Sequence, residues 1–106
     1  MSHLKVISES EFLAEIESGV VLVDFYADWC GPCRALIPHL QTVAKEVEHQ
    51  ASIVQINVDH AQRVSEQYQI TSIPALILFK EGKEVGRIVG LRDAKAIKEF
   101  VLSAIS

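Results

Sequence analysis

The chain has 106 residues, 49% hydrophobic and 23% charged, with a formal charge of −4. Length and composition point to one soluble globular domain, 1–106, and an acidic balance without a basic stripe argues against nucleic acid as a partner. Two cysteines, Cys30 and Cys33, are too few for a disulfide-stapled secreted scaffold or a four-thiolate zinc site.

The pattern of apolar residues predicts the elements in order. Leu4–Ile7 reads as a short strand. Ser8 with Glu11 three residues later is a capping-box signature, and Phe12, Leu13 and Ile16 follow helical spacing up to Gly19. Val20–Tyr26 is apolar on both faces, the mark of a central strand covered by helices on both sides. Pro32 to about Glu48 is helical, with Leu36, Ile37, Leu40, Val43, Ala44 and Val47 forming a stripe. Pro38 lies inside it and predicts a kink of purely structural meaning.

Ile53–Val58 reads as a second buried strand. Asp59 is expected to cap a short helix, with Gln62 at the reciprocal position and Val64 and Tyr68 facing inward. Ile73–Phe79 is a strand, Lys80–Lys83 a turn, and Val85–Val89 a strand, so this pair forms an antiparallel hairpin. Asp93 caps a last helix carrying Ile97, Phe100, Val101 and Ile105 on one face. The order β-α-β-α-β-α-β-β-α predicts an α/β domain of three layers, α/β/α. Its mixed five-stranded sheet is flanked by four helices.

Targeting signals are sparse. Met1–Lys5 shows no basic segment followed by an apolar one, and the longest apolar run, Ile73–Phe79, is far short of a membrane span. Both observations point to a cytoplasmic protein.

The cysteines sit in Trp29-Cys30-Gly31-Pro32-Cys33, where a buried strand ends and a long helix begins. Residues three apart on a helix hold their Cβ atoms roughly 5–6 Å apart, and a disulfide wants about 3.5–4.5 Å. A small adjustment at the helix start, where Gly31 is permissive and Pro32 lacks only an orphan N–H, closes the gap. Dithiol and disulfide then fit nearly the same backbone, which suits reversible two-electron chemistry. Unpaired N–H groups and the helix dipole favour a thiolate at Cys30, the attacking species in thiol–disulfide exchange. Cys33, one turn inside, is expected to be more buried than the exposed Cys30 and to act as the resolving thiol. A zinc site would need a histidine pair at ligand spacing; His3, His39, His49 and His60 offer none and read as surface or capping residues.

The chain resembles the thioredoxin family over essentially its whole length. The resemblance is carried by Val23-Asp24-Phe25-Tyr26-Ala27-Asp28-Trp29-Cys30-Gly31-Pro32-Cys33, by Ile73-Pro74-Ala75 and by Val89-Gly90. It implies a thioredoxin fold and a protein-disulfide reductase with no bound cofactor. Reducing equivalents would come from NADPH through thioredoxin reductase, and the partners would be that enzyme and disulfide-containing proteins, with the chain monomeric. It further implies that Asp24 exchanges a proton with Cys33 and that the Ile73–Pro74 bond is cis. Trp29, Gly31, Pro32, Ile73, Pro74, Val89, Gly90 and Leu91 would form an apolar substrate-binding patch around Cys30. Many thioredoxins carry a lysine beneath the buried acid where this chain has Gln55, which predicts a more strongly raised Asp24 pKa than in those relatives. Gly31-Pro32 matches reductases rather than the histidine-containing isomerases or the Pro-Tyr pair of glutaredoxins. A binding subunit with incidental redox activity is the reading from a different class.

Overall fold

The computed structural model describes residues 4–105. Five strands form one sheet in the order β1-β3-β2-β4-β5: β1 Lys5–Ile7, β2 Val20–Tyr26, β3 Ser52–Asn57, β4 Ala75–Lys80 and β5 Lys83–Val89. β1, β3 and β2 run parallel; β4 pairs antiparallel with β2, and β5 antiparallel with β4. The mixed sheet predicted from the sequence is therefore the one observed.

Four helices cover it: α1 Phe12–Ile16, α2 Gly31–Glu46, α3 Gln62–Gln67 and α4 Ala94–Leu102. The two-residue period of a strand sorts side chains to opposite faces. Val21, Val23 and Phe25 of β2 join Phe12 and Ile16 of α1 and Val64 of α3 in one buried cluster. Leu22 faces the other way, into a cluster with Leu36, Leu40 and Val43 of α2 and Ile97 and Val101 of α4. Asp24 has the parity of Leu22, and Gln55 that of Ile53, so both belong to the face covered by the cysteine-bearing helix.

The β4–β5 turn is Glu81-Gly82, both at positive φ (50° and 83°), the backbone sense that a two-residue hairpin needs. Gly86 on β5 lies beneath Phe100: a Cβ there would come within 2.9 Å of the ring, so glycine is what lets α4 settle on this strand.

Several local expectations are corrected. The segment after Ser8 starts as a 3-10 turn, Glu9–Glu11, before α1, although the Ser8 N–H does donate to Glu11 Oε1 at 2.8 Å. α2 begins at Gly31, with Cys30 as its cap, and runs through Pro38 to Glu46. β4 begins at Ala75, two residues later than expected, after a cis Ile73–Pro74 peptide. Asp59 does not cap α3. It lies in a 3-10 turn, Val58–His60, with its N–H given to Asn57 Oδ1 and its carboxylate engaged elsewhere. The free N-terminus of α3 is satisfied instead by Glu9, whose Oε2 accepts the Val64 N–H at 2.8 Å.

Candidate functional site

The cysteine pair sits at the C-terminal end of β2, the central strand, with β3 parallel on one side and β4 antiparallel on the other. This is the end of an α/β sheet at which ligands collect. Cys30 and Cys33 are joined as a disulfide with Cα atoms 5.2 Å apart. The Cys33 N–H at the start of α2 donates to Cys30 Sγ at 3.1 Å. An orphan helix donor thus points at this sulfur, and the same contact stabilises negative charge on it when the pair is reduced.

The expected contrast in exposure is smaller than the sequence suggests. Cys33 is 2% exposed, but Cys30 is only 5% exposed and is not an open sulfur. Both pack with Ala27 beneath Tyr26, Val58 and Ile73. Long-range packing of the Val58 and Ile73 segments covers Cys30, and helix periodicity does not report that. The Ile73 carbonyl oxygen lies 3.9 Å from Cys30 Sγ, so the residue before Pro74 presents its backbone to this sulfur.

The other predicted residues gather at the same end of the sheet. Val89 pairs with Ala75, and the Gly90 N–H donates to the Pro74 carbonyl at 2.8 Å, which brings the end of β5 beside Pro74. Gly90 has φ +99°, a conformation that favours glycine. Leu91, Val89 and Trp29 are exposed, Trp29 at 69%. Gly31 and Pro32 are exposed at the tip of α2, whereas Pro74 is buried.

Asp24 is fully buried, with Oδ2 accepting from Gln55 Nε2 at 2.9 Å and Oδ1 without a partner among the described residues. Burial pushes its carboxyl up to about 7, and the Gln55 hydrogen bond opposes this only in part. No direct hydrogen bond joins it to either sulfur among the described residues.

Sequence reasoning missed Asp59 as a site residue. Trp29 Nε1 donates to Asp59 Oδ2 at 2.9 Å, which pins the indole over the site from the end of β3. The only available signal was that Asp59 follows a strand whose parallel neighbour ends near Trp29. A groove of about 670 Å³ lined by Val58, Gln62, Ser65, Ile70 and Thr71 was also not foreseen; it shares Val58 with the sulfur cluster. No group of three or more metal-ligating side chains occurs among the described residues. His39 serves as a cap, accepting the Ala94 N–H, and His3 lies outside the described residues.

Comparison with known proteins gives one answer. The thioredoxin family model matches residues 3–103. The thioredoxin of Chlamydia pneumoniae is 50% identical over 103 residues, covering 97% of this chain and 96% of its own length. That of Staphylococcus aureus is 39% identical over 101 residues, covering 95% and 96%. A mutant thioredoxin from Halobacterium salinarum superposes with a TM-score of 0.87 at 38% identity, covering 97% of this chain and 90% of that one. A redox-active cysteine pair at the head of α2, on this sheet and with these relatives, places the chain in the thioredoxin family as a protein-disulfide oxidoreductase.

Proposed function

We propose that the chain reduces disulfides in other proteins, with Cys30 as nucleophile and Cys33 as resolving thiol. The observation that carries this reading is the Cys33 N–H aimed at Cys30 Sγ from the first turn of α2. In the reduced protein the Cys30 thiolate attacks one sulfur of a substrate disulfide. That forms a mixed disulfide and releases the first substrate thiolate, which takes up a proton. Cys33 then loses its proton to the Asp24 carboxylate, across an intervening water, and attacks Cys30 Sγ. The Cys30–Cys33 disulfide forms, and the second substrate thiolate leaves and is protonated. The substrate gains two electrons and two protons; the dithiol loses them. A carboxyl near 7 is matched to proton exchange at neutral pH.

Trp29, Gly31, Pro32, Ile73, Val89, Gly90 and Leu91 form the docking surface around the buried Pro74, with the Ile73 backbone offered to an extended substrate segment. No prosthetic group is needed. NADPH, acting through thioredoxin reductase, restores the dithiol. The protein works as a monomeric, single-domain cytoplasmic carrier, without nucleic acid or membrane.

The test is reduction of insulin with NADPH and thioredoxin reductase, run in parallel with glutathione and glutathione reductase. Turnover is expected only in the first arm, absent in Cys30→Ser, with Cys33→Ser accumulating a mixed disulfide. Turnover by Cys30→Ser, or turnover only with glutathione, sinks the reading.

A further inference from the structure

The first N–H of a helix is ordinarily left to water. In α4 it is not: His39 Nδ1, from the middle of α2, accepts the Ala94 N–H at 3.1 Å. Asp93, the cap of α4, already serves the Ala96 N–H with its own Oδ1 at 2.9 Å. The imidazole is therefore an additional tie, and it joins the helix that carries the dithiol to the start of the next one. The loop just before α4 is held at its other end too, by the Gly90 N–H on the Pro74 carbonyl at 2.8 Å. Between the two ties lie only Leu91, Arg92 and Asp93, all exposed. Neighbouring positions of α2 that face the same cluster are apolar, Leu36, Leu40 and Val43, so packing alone does not call for an imidazole here. What His39 adds is an acceptor.

We infer that His39 is a positioning residue for protein substrates. By accepting the Ala94 N–H it holds the Leu91–Asp93 loop against the dithiol-bearing helix before substrate arrives. A loop already ordered loses less freedom on docking, so association with a large substrate is faster and tighter. A small disulfide that meets only the sulfurs gains nothing from the loop. This inference rests on the reading above that Val89–Leu91 touch the substrate.

The test uses His39→Leu, which keeps bulk and loses the acceptor, and His39→Asn, which restores a short acceptor at nearly the same place. Each reduced protein is mixed with insulin or with hydroxyethyl disulfide, and oxidation is followed by Trp29 fluorescence. His39→Leu should react about three- to tenfold more slowly with insulin, the effect of losing one hydrogen bond. It should match the parent with hydroxyethyl disulfide, and Ala94 amide exchange should quicken. His39→Asn should recover most of the insulin rate. Equal insulin rates for His39→Leu and parent overturn the inference, as does equal slowing with both disulfides, which would place the effect on the dithiol. Failure of His39→Asn to recover the rate overturns it as well. Leu91→Ala separates the two layers. If it slows insulin and His39→Leu does not, only this inference falls. If neither slows it, the substrate role of the loop falls too.

Discussion

Gln55 Nε2 donates to Asp24 Oδ2 at 2.9 Å across the β2–β3 ladder, and Asp24 Oδ1 has no partner among the described residues. An amide orients a carboxylate but brings no charge to it. Burial therefore dominates and raises the Asp24 pKa to about 7. A carbon NMR titration of the reduced protein should place Asp24 in the neutral range. Gln55→Lys, which puts a cation where Gln55 stands, should move it downward. A value near 4 in the parent protein removes the argument.

The same shift sets a pH dependence of stability. Asp24 holds its proton more tightly in the folded chain, at about 7, than the ordinary value of 3.8 for an unfolded one. Between those values the folded state binds more protons than the unfolded state, so stability falls as pH rises. The contribution is intact below about pH 4 and fully lost above about pH 8. Asp24→Asn carries no charge to desolvate. It should exceed the parent in stability by up to about 4 kcal/mol at pH 9, with the gap closing toward pH 4. Urea unfolding at the two pH values measures this, and a gap independent of pH contradicts it.

Asp59, in the 3-10 turn that follows β3, holds the Trp29 indole. The contact is exposed, so Asp59→Ala should cost only about 1 kcal/mol of stability or less. The indole, however, loses its one hydrogen-bond partner. Trp29 is the sole tryptophan, so fluorescence anisotropy decay reads its motion directly. The variant should show faster local rotation and slower reaction with insulin. An unchanged decay refutes the tie.

Gly90 and Gly31 lie at the same end of the sheet but should respond differently to alanine. Gly90 has φ +99°, and a Cβ there meets Arg92 Nη1 at 3.4 Å. At Gly31 a Cβ meets only Arg34 Nη2, at 3.9 Å. Gly90→Ala should destabilise by about 1–2 kcal/mol, and Gly31→Ala by about 0.5 kcal/mol or less, since it lies in the first turn of a helix. Thermal unfolding of the two variants decides the matter; equal losses would mean that backbone conformation is not the cause.

Much of the fold was legible because local patterns carried it. Val20–Tyr26 is apolar on both faces because helices do cover both faces of β2. Lys80–Lys83 reads as a turn, and its central Glu81 and Gly82 do adopt the left-handed backbone that a tight hairpin needs. Helix capping was less legible. Asp59 looked like a cap by type and spacing, yet Trp29 takes its carboxylate and Glu9, 55 residues from Val64, supplies the cap of α3. A carboxylate serves whichever donor the fold brings nearest, and that donor is not set by sequence distance.

The sequence by itself determined the chemistry: a Cys-Gly-Pro-Cys dithiol at a strand-to-helix junction, with a lone acid in the strand beneath it. Those features depend on residue type and on spacing within one turn, which local geometry enforces. Only the tertiary structure decided how the dithiol is surrounded. Val58 and Ile73 bury Cys30, Asp59 pins Trp29, and His39 ties α2 to α4. Each of these contacts joins segments far apart in the chain. They exist because burying both faces of the sheet forces those segments together, and no local pattern encodes the result.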